Sequence, residues 1–150
     1  MALGSKPYRI LYVDDNPADR RLMQEALNST KPNVHLEMVG TGEELLARIE
    51  TVPLPNLILM DWNLPGISGF ELLKKLKSDQ LSKRIPLVVF TTSLSGENII
   101  EIYNERANCI VEKPLGFEAF VSLIDRIEEF WVRTSLLPEG MTYFEAAPGM

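Results

Sequence analysis

Six polar side chains that suit metal or phosphate chemistry follow apolar runs of the sequence: Asp14, Asp15, Asp61, Thr91, Thr92 and Lys113. The clearest case is the run LILM at residues 57–60, which leads directly into Asp61 and then to the chain-breaking NLPG at residues 63–66. An unbroken apolar run of this length is typical of a parallel strand covered on both faces. A carboxylate at the end of such a strand is costly to bury unless a metal ion, another cation or a substrate accompanies it.

This mixture of acids, hydroxyls and a lysine indicates a site that receives a phosphoryl group. Strand ends of an α/β sheet share one edge, where carboxylates raise one another's pKa values unless a cation intervenes. Mg²⁺ suits such a group, because it is a hard ion that prefers oxygen ligands. The metal and the Lys113 ammonium would neutralise phosphoryl oxygens, the Thr91 hydroxyl would donate a hydrogen bond, and a free carboxylate would attack phosphorus in line.

Each of these residues also has an ordinary structural interpretation. Asp14 and Asp15 suit a helix cap, and Asp61 suits the cap of a turn. Lys113 suits a surface charge on an apolar stem. The site is favoured because the candidates all fall at the ends of predicted strands, which the structural interpretations do not require.

The elements that must position these side chains alternate between strand and helix five times. Strands are predicted at residues 8–13, 34–39, 57–60, 85–90 and 109–111, and the last helix at residues 117–132. Asn16 and Pro17 predict the N-cap and first position of the first helix, and the sequence TGEE at residues 41–44 fits a capping box. The alternation predicts an α/β fold with a five-stranded parallel sheet, doubly wound by helices on both faces.

Composition predicts one globular domain at residues 8–132, after a flexible start at residues 1–7. The chain has 150 residues, of which 45% are hydrophobic and 24% charged, and its net charge of -6 argues against a nucleic-acid surface. Its sequence has no membrane-spanning run, and its single cysteine, Cys109, suits a reducing compartment, so we expect a cytoplasmic protein. Residues 133–150 lose periodicity and are predicted to be a tail that is disordered, docked or involved in dimerisation.

The motifs in order resemble the receiver domain of two-component response regulators, which has a flavodoxin-like (βα)5 fold. The resemblance covers about residues 8–132. It rests on Asp14-Asp15 after the first strand, MDWNLPG at residues 60–66, Thr91 after the fourth strand and Lys113-Pro114 after the fifth. Each motif alone is weak, whereas all four in the family's order and at its spacing are very specific.

This resemblance implies that Asp61 is the phosphoacceptor and takes its phosphoryl group from a histidine of a sensor kinase. It implies Mg²⁺, or Mn²⁺, as the cofactor. Asp15, Asp61 and the backbone carbonyl of Asn63 would be direct metal ligands, and Asp14 would act through a metal-bound water. The partners would be a sensor histidine kinase and a downstream protein, with no nucleic acid and no membrane.

The resemblance also implies how the new charge is sensed. Lys113 would contact the phosphoryl oxygens, and Thr91 would move toward them together with the loop and helix that follow the fourth strand. The peptide bond to Pro114 is expected to be cis, as is common in the family.

Two positions depart from the family pattern. Ile110 stands where members usually carry an aromatic residue whose rotation is coupled to the threonine, so an aromatic switch at this position is in doubt. Thr92 stands where many members have a small residue, so we expect narrower access of water to the phosphoryl group and slower dephosphorylation. A Thr92→Ala variant with an unchanged aspartyl-phosphate lifetime would contradict this expectation.

Four segments resemble a subgroup, the small response regulators that are paired with bacterial phytochromes. They are DNPADR at residues 15–20, TTS at 91–93, NC at 108–109 and EEFW at 128–131. That subgroup lacks an output domain and often dimerises through its last helix, so the resemblance implies a phytochrome as the kinase and a homodimer.

Two functions other than phosphorylation-driven signalling could use the same residues. A Mg²⁺-dependent phosphohydrolase with Asp61 as nucleophile commonly has a second acid two residues later, but Asn63 lies there and cannot act as a carboxylic acid. A degenerate receiver that binds partners without phosphate is disfavoured, because every residue of the phosphorylation motif is present. We therefore expect a signalling protein rather than an enzyme.

Overall fold

The computed structural model describes residues 8–28, 34–92 and 96–136. Its strands are β1 (Tyr8–Val13), β2 (Val34–Val39), β3 (Leu57–Asp61), β4 (Leu87–Thr91) and β5 (Cys109–Glu112). Its α-helices are α1 (Pro17–Asn28), α2 (Gly42–Arg48), α3 (Gly69–Ser78), α4 (Gly96–Asn104) and α5 (Phe117–Ile127). A 3₁₀ turn covers Ser82–Arg84, and a π-helical segment, Glu128–Thr134, continues from α5.

The five strands form one parallel sheet in the order β2-β1-β3-β4-β5. The sheet has one hydrophobic cluster on each face. The helices α2, α3 and α4 contribute to one cluster, and α1 and α5 contribute to the other. Successive β3 residues alternate between the two clusters, which explains why the strand sequence is apolar without a break. The predicted doubly wound α/β fold is confirmed.

The predicted N-caps of α1 and α2 are present in the structure. The Asn16 side chain accepts hydrogen bonds from the backbone N–H groups of Ala18 and Asp19 at the start of α1. Thr41 accepts one from the N–H of Glu44, but the Glu44 carboxylate returns to the N–H of Gly40 rather than to that of Thr41. The capping box is therefore shifted by one residue at its return bond.

The strands β3, β4 and β5 each end one residue later than predicted, and two element boundaries differ from the prediction by more than one residue. The fourth strand begins at Leu87 rather than at residue 85, since Pro86 has no N–H group to donate to a neighbouring strand. The last α-helix ends at Ile127, beyond which the turns widen, and the N–H of Ser135 donates to the carbonyl of Phe130, five residues earlier. The Tyr8 hydroxyl donates to the carbonyl of Trp131 and ties this segment to β1.

Several predictions concern residues outside those that the structure describes. They include the flexible start at residues 1–7 and most of the tail at residues 133–150. Among the described residues, no helix has the length and apolarity needed to cross a bilayer.

Candidate functional site

The carboxyl ends of β1, β3, β4 and β5 bring the candidate residues to one edge of the sheet. Backbone hydrogen bonds fix the neighbouring ends: the N–H of Trp62 donates to Phe90 O at 2.8 Å, and that of Lys113 donates to Thr91 O at 2.7 Å. The order of the strands reverses between β1 and β3, which is where ligands bind in open α/β sheets.

Three carboxylates meet at this edge. One oxygen from each of Asp14, Asp15 and Asp61 lies within 4.8 Å of the others. Asp14 is fully buried, Asp61 is 4% exposed and Asp15 is exposed. The convergence that the sequence predicted is therefore present, with two of the acids inside the protein.

Asp61 lies in an environment that disfavours its charged form. Burial, followed by repulsion from Asp14, raises the pKa of Asp61 to about 6, although Lys113 and a hydrogen bond from the backbone N–H of Asn63 oppose the increase. A raised carboxyl pKa at this edge means that negative charge is incompletely compensated by the protein itself.

The oxygens of Asp14 are already occupied by protein donors. One accepts from the backbone N–H of Asn16 at 2.9 Å, and the other accepts from the Tyr12 hydroxyl and faces Lys113 Nζ at 2.8 Å. Tyr12 is fully buried in β1, and burial together with its bond to Asp14 raises the pKa of the phenol. Tyr12 was not predicted as a site residue, because its apolar neighbours are typical of a core strand.

Lys113 Nζ faces three carboxylates. It lies 2.8 Å from Asp14 Oδ2, 2.8 Å from Asp19 Oδ2 and 3.5 Å from Asp61 Oδ1. Desolvation lowers the pKa of Lys113, but the hydrogen bonds to Asp14 and Asp19 outweigh it and hold the pKa above the usual range. Asp19 was not predicted as a site residue, since an acid in the first turn of a helix is ordinary.

Thr91 supplies a buried hydroxyl for which the described part of the chain offers no partner. It is 4% exposed, and its Oγ1 atom makes no hydrogen bond to any residue that the structure describes. A buried polar atom of this kind is uncommon and suits a ligand that completes the site. Thr92, next in the chain, is exposed, and its predicted effect on water access remains a prediction.

The loop after β3 is shaped by Gly66 and α2. Gly66 has a φ of +83°, which glycine adopts without strain. The N–H of Ile67 donates to the Glu43 carboxylate at 3.3 Å and ties the loop to the start of α2. Asn63, in the same loop, is exposed, and the ligand role of its carbonyl remains a prediction.

The expected cis peptide at Pro114 is wrong for this structure. Among the described residues the cis bond is Val52–Pro53, and Lys113–Pro114 is trans. The two isomers of a bond before proline differ by only about 0.5–1 kcal/mol, so tertiary context rather than the motif decides between them.

At Ile110 the usual aromatic side chain is absent, but an aromatic from α4 reaches the same strand. The Tyr103 hydroxyl accepts a hydrogen bond from the backbone N–H of Ile110 at 3.2 Å. Ile110 itself packs against the cluster formed with α2, α3 and α4. The α4 helix is thus linked to β5 through a tyrosine that is 46% exposed.

The residues at this edge fit a hard divalent cation. Their donors are carboxylate oxygens, one oxygen from each acid lies within 4.8 Å of the others, and burial and repulsion from Asp14 disfavour the charged form of Asp61, an effect that a bound cation would oppose. Oxygen ligands of this type suit Mg²⁺ or Mn²⁺ rather than a metal that prefers sulfur or imidazole.

Comparison with known proteins gives one consistent result. Residues 10–125 match the response regulator receiver domain. Response regulator Rcp1 of Synechocystis sp. is 37% identical over 141 residues, covering 90% of this chain and 96% of Rcp1. The phosphorylated cyanobacterial phytochrome response regulator RcpA, at 37% identity, has a TM-score of 0.83 over 89% of this chain and 99% of that chain. The Mn(2+)-bound form of Rcp1, also at 37% identity, has a TM-score of 0.81 over 89% and 100%.

Proposed function

Since the chain belongs to the response regulator receiver domain family, we propose that Asp61 is its phosphoacceptor and that the phosphorylated chain signals through altered protein contacts. One observation carries the proposal. Asp61 is a nearly buried carboxylate that faces the Lys113 ammonium, at the sheet edge where the Thr91 hydroxyl is buried without a partner among the described residues.

The chain's own residues account for the transfer. An Asp61 oxygen attacks phosphorus in line, the new O–P bond forms as the P–N bond of a phosphohistidine breaks, and the imidazole leaves with the electron pair. Lys113 neutralises a phosphoryl oxygen, and the Thr91 hydroxyl donates to another.

A divalent cation completes this site in the proposal. Asp15, Asp61 and the Asn63 carbonyl would hold it directly, and Asp14 would act through water, since its oxygens already have protein donors. When bound, the ion supplies positive charge that offsets the repulsion between the carboxylates and the incoming phosphoryl group.

Switching follows from the difference between the two states. Phosphorylation shifts the protein only to the extent that the new group interacts better with one conformation. Thr91 is the clearest source of that difference, because its hydroxyl has no partner among the described residues and would gain one from an acceptor at Asp61. Movement of Thr91 would then be passed to the start of α4.

The relatives support a proposal for the partners. RcpA is described as a cyanobacterial phytochrome response regulator. We therefore propose a phytochrome-type histidine kinase as the phosphoryl donor and another protein as the target of the phosphorylated chain. Because such a kinase needs ATP, we also propose that the chain acts in the cytoplasm. Phe130, in the π-helical segment, and Leu136, two residues beyond it, are exposed and support a homodimer through that region.

Sustained phosphohydrolase activity is not part of the proposal. Asn63 lies where such an enzyme needs a second acid, and it has no carboxylic proton to donate. The chain would hold its phosphoryl group as a signal instead of turning over a substrate. The presence of Asp14, Asp15 and Lys113 around Asp61 likewise disfavours a degenerate receiver.

Incubation with acetyl phosphate, followed by intact mass measurement, tests the proposal. Wild type should gain one phosphate with Mg²⁺ and none with EDTA, and Asp61→Asn should gain none. Glu71→Gln, which removes an exposed carboxylate from the start of α3, is the matched control and should behave as wild type. Phosphate uptake by well-folded Asp61→Asn would identify another acceptor and refute the proposal.

A further inference from the structure

We infer that Asp19 is a positioning residue that holds Lys113 in the unphosphorylated protein and competes with the phosphoryl group for it. The inference rests on the proposed function. It predicts that Asp19 weakens the hold of the site on a phosphoryl group and thereby helps to set the phosphorylated fraction.

The distances show which partners hold the lysine. Lys113 Nζ lies 2.8 Å from both Asp19 Oδ2 and Asp14 Oδ2, but 3.5 Å from Asp61 Oδ1. The ammonium is therefore bound more closely to two neighbouring acids than to the residue that takes the phosphoryl group. A phosphoryl group on Asp61 must draw the ammonium toward itself or accept a weaker contact.

Asp19 is held firmly in this position. It lies in the first turn of α1, whose start is capped by Asn16. In the next position, Arg20 Nη1 donates to the backbone carbonyl of Asp14 at 2.6 Å, which joins the turn to the end of β1. The backbone of the turn that carries Asp19 is thus fixed relative to the strand that carries Asp14.

Asp19 is also the partner that Lys113 can release at the smaller cost. Asp14 is fully buried, so losing its cation would leave a charge in the protein interior, which is strongly unfavourable. The side chain of Asp19 is 22% exposed, so water can solvate it when the lysine moves. Phosphorylation should therefore exchange the Asp19 contact for a phosphoryl contact and retain the Asp14 contact.

A merely structural role for Asp19 has a different signature. An acid in a first helical turn stabilises its helix through the macrodipole, and that effect needs no lysine. Glu71, an exposed acid in the first turn of α3, has the same helix position and serves as the control. An effect that operates through Lys113 must disappear when Lys113 is removed.

The test is calorimetric titration of the full chain with beryllofluoride, a stable phosphoryl mimic, in Mg²⁺. Asp19→Asn should bind beryllofluoride about fivefold more tightly than wild type, as expected for loss of a largely buried ion pair that opposes binding. Glu71→Gln should bind beryllofluoride with wild-type affinity, and Asp19→Glu, which keeps the carboxylate, should do the same. In a Lys113→Ala background, Asp19→Asn should alter the affinity by less than about twofold.

Two outcomes overturn the inference. One is an equal affinity of wild type and Asp19→Asn for beryllofluoride when circular dichroism shows that both proteins are folded. The other is an Asp19 effect of full size in the Lys113→Ala background, which would assign it to direct repulsion of the anion. Failure of wild type itself to bind beryllofluoride would refute the proposed function instead, and the inference with it.

Discussion

Two partly buried lysines lie at opposite ends of the strands of the sheet, and the groups that they contact differ in charge. At the amino end of β4, Lys77 Nζ donates to Ile85 O at 2.9 Å and to Asn108 Oδ1 at 3.1 Å, both neutral acceptors. Burial lowers the pKa of Lys77 to about 8. At the carboxyl edge, Lys113 faces three carboxylates, and hydrogen bonds to two of them raise its pKa despite desolvation.

This difference separates a lysine that fastens the fold from one that can change partners. Lys77 binds a carbonyl and an amide whose positions are set by β4, since Asn108 Oδ1 also accepts from the N–H of Leu87. Lys113 lies among more negative charge than it can neutralise, next to a hydroxyl with no partner among the described residues. The hydrogen bonds of Lys77 therefore have one favourable arrangement, whereas the contacts of Lys113 should change when a new anion binds.

Removal of Lys113 should give the largest loss of stability. In EDTA at pH 7, Lys113→Ala should reduce the free energy of unfolding by about 3 kcal/mol, because Asp14 would remain buried without a cation. Urea unfolding measures the change. The double variant Asp14→Asn with Lys113→Ala should recover part of the loss, and a loss in Lys113→Ala below about 1 kcal/mol would contradict the electrostatic account.

Removal of the Asp61 charge should stabilise the metal-free protein, by about 2 kcal/mol at pH 7. The folded-state pKa of about 6 exceeds the ordinary 3.8, so the folded protein binds more protons between these values and loses stability as the pH rises. Asp61→Asn escapes this loss, so its advantage over wild type in thermal melts should grow from pH 4 to pH 6. Mg²⁺ should reverse the advantage by stabilising wild type alone, and a pH-independent difference would contradict the assignment.

Removal of Lys77 should cost about 1 kcal/mol, because the Ile85 carbonyl would lose its donor. Lys77→Met should leave beryllofluoride affinity unchanged. The folded-state pKa of about 8 lies below the ordinary 10.5, so the folded protein binds fewer protons in this window and wild type should gain stability over Lys77→Met as the pH rises from 8 to 10.5. Altered beryllofluoride binding in Lys77→Met would contradict the proposal that Lys77 stabilises the fold and Lys113 responds to the anion.

Removal of the Tyr103 hydroxyl should have the smallest effect, about 0.5 kcal/mol. Tyr103→Phe leaves the N–H of Ile110 on the edge strand β5 to find water. Chemical denaturation gives the cost, and hydrogen exchange of the Ile110 amide should accelerate. Unchanged exchange at Ile110 would show that this bond does not link α4 to β5.

The sequence predicted the fold well because its local and periodic signals agree. Apolar runs such as residues 57–60 face helices on both sides, and Asn16 and Thr41 cap helices as their residue types suggest. The start of β4 was placed too early because an apolar run does not reveal which N–H groups are available, and Pro86 has none.

The sequence predicted those site residues that follow the ends of strands and missed those that lie elsewhere. Tyr12 points its hydroxyl at Asp14 from inside an apolar strand, and Asp19 reaches Lys113 from a helix, so neither carries a signal at a strand end. Their roles depend on contacts between distant segments. The isomer at Pro114 and the Tyr103 contact with Ile110 are likewise set by tertiary packing, which no local motif encodes.

The central claim is that an anion on Asp61 is sensed by Thr91 and Lys113 while the opposite edge is unaffected. Amide NMR spectra of the ¹⁵N-labelled protein, recorded with Mg²⁺ before and after addition of beryllofluoride, test it most directly. We predict large shifts for the amides of Thr91 and Lys113 and small ones for Lys77 and Asn108. Unmoved Thr91 and Lys113 resonances in protein saturated with beryllofluoride would contradict the claim.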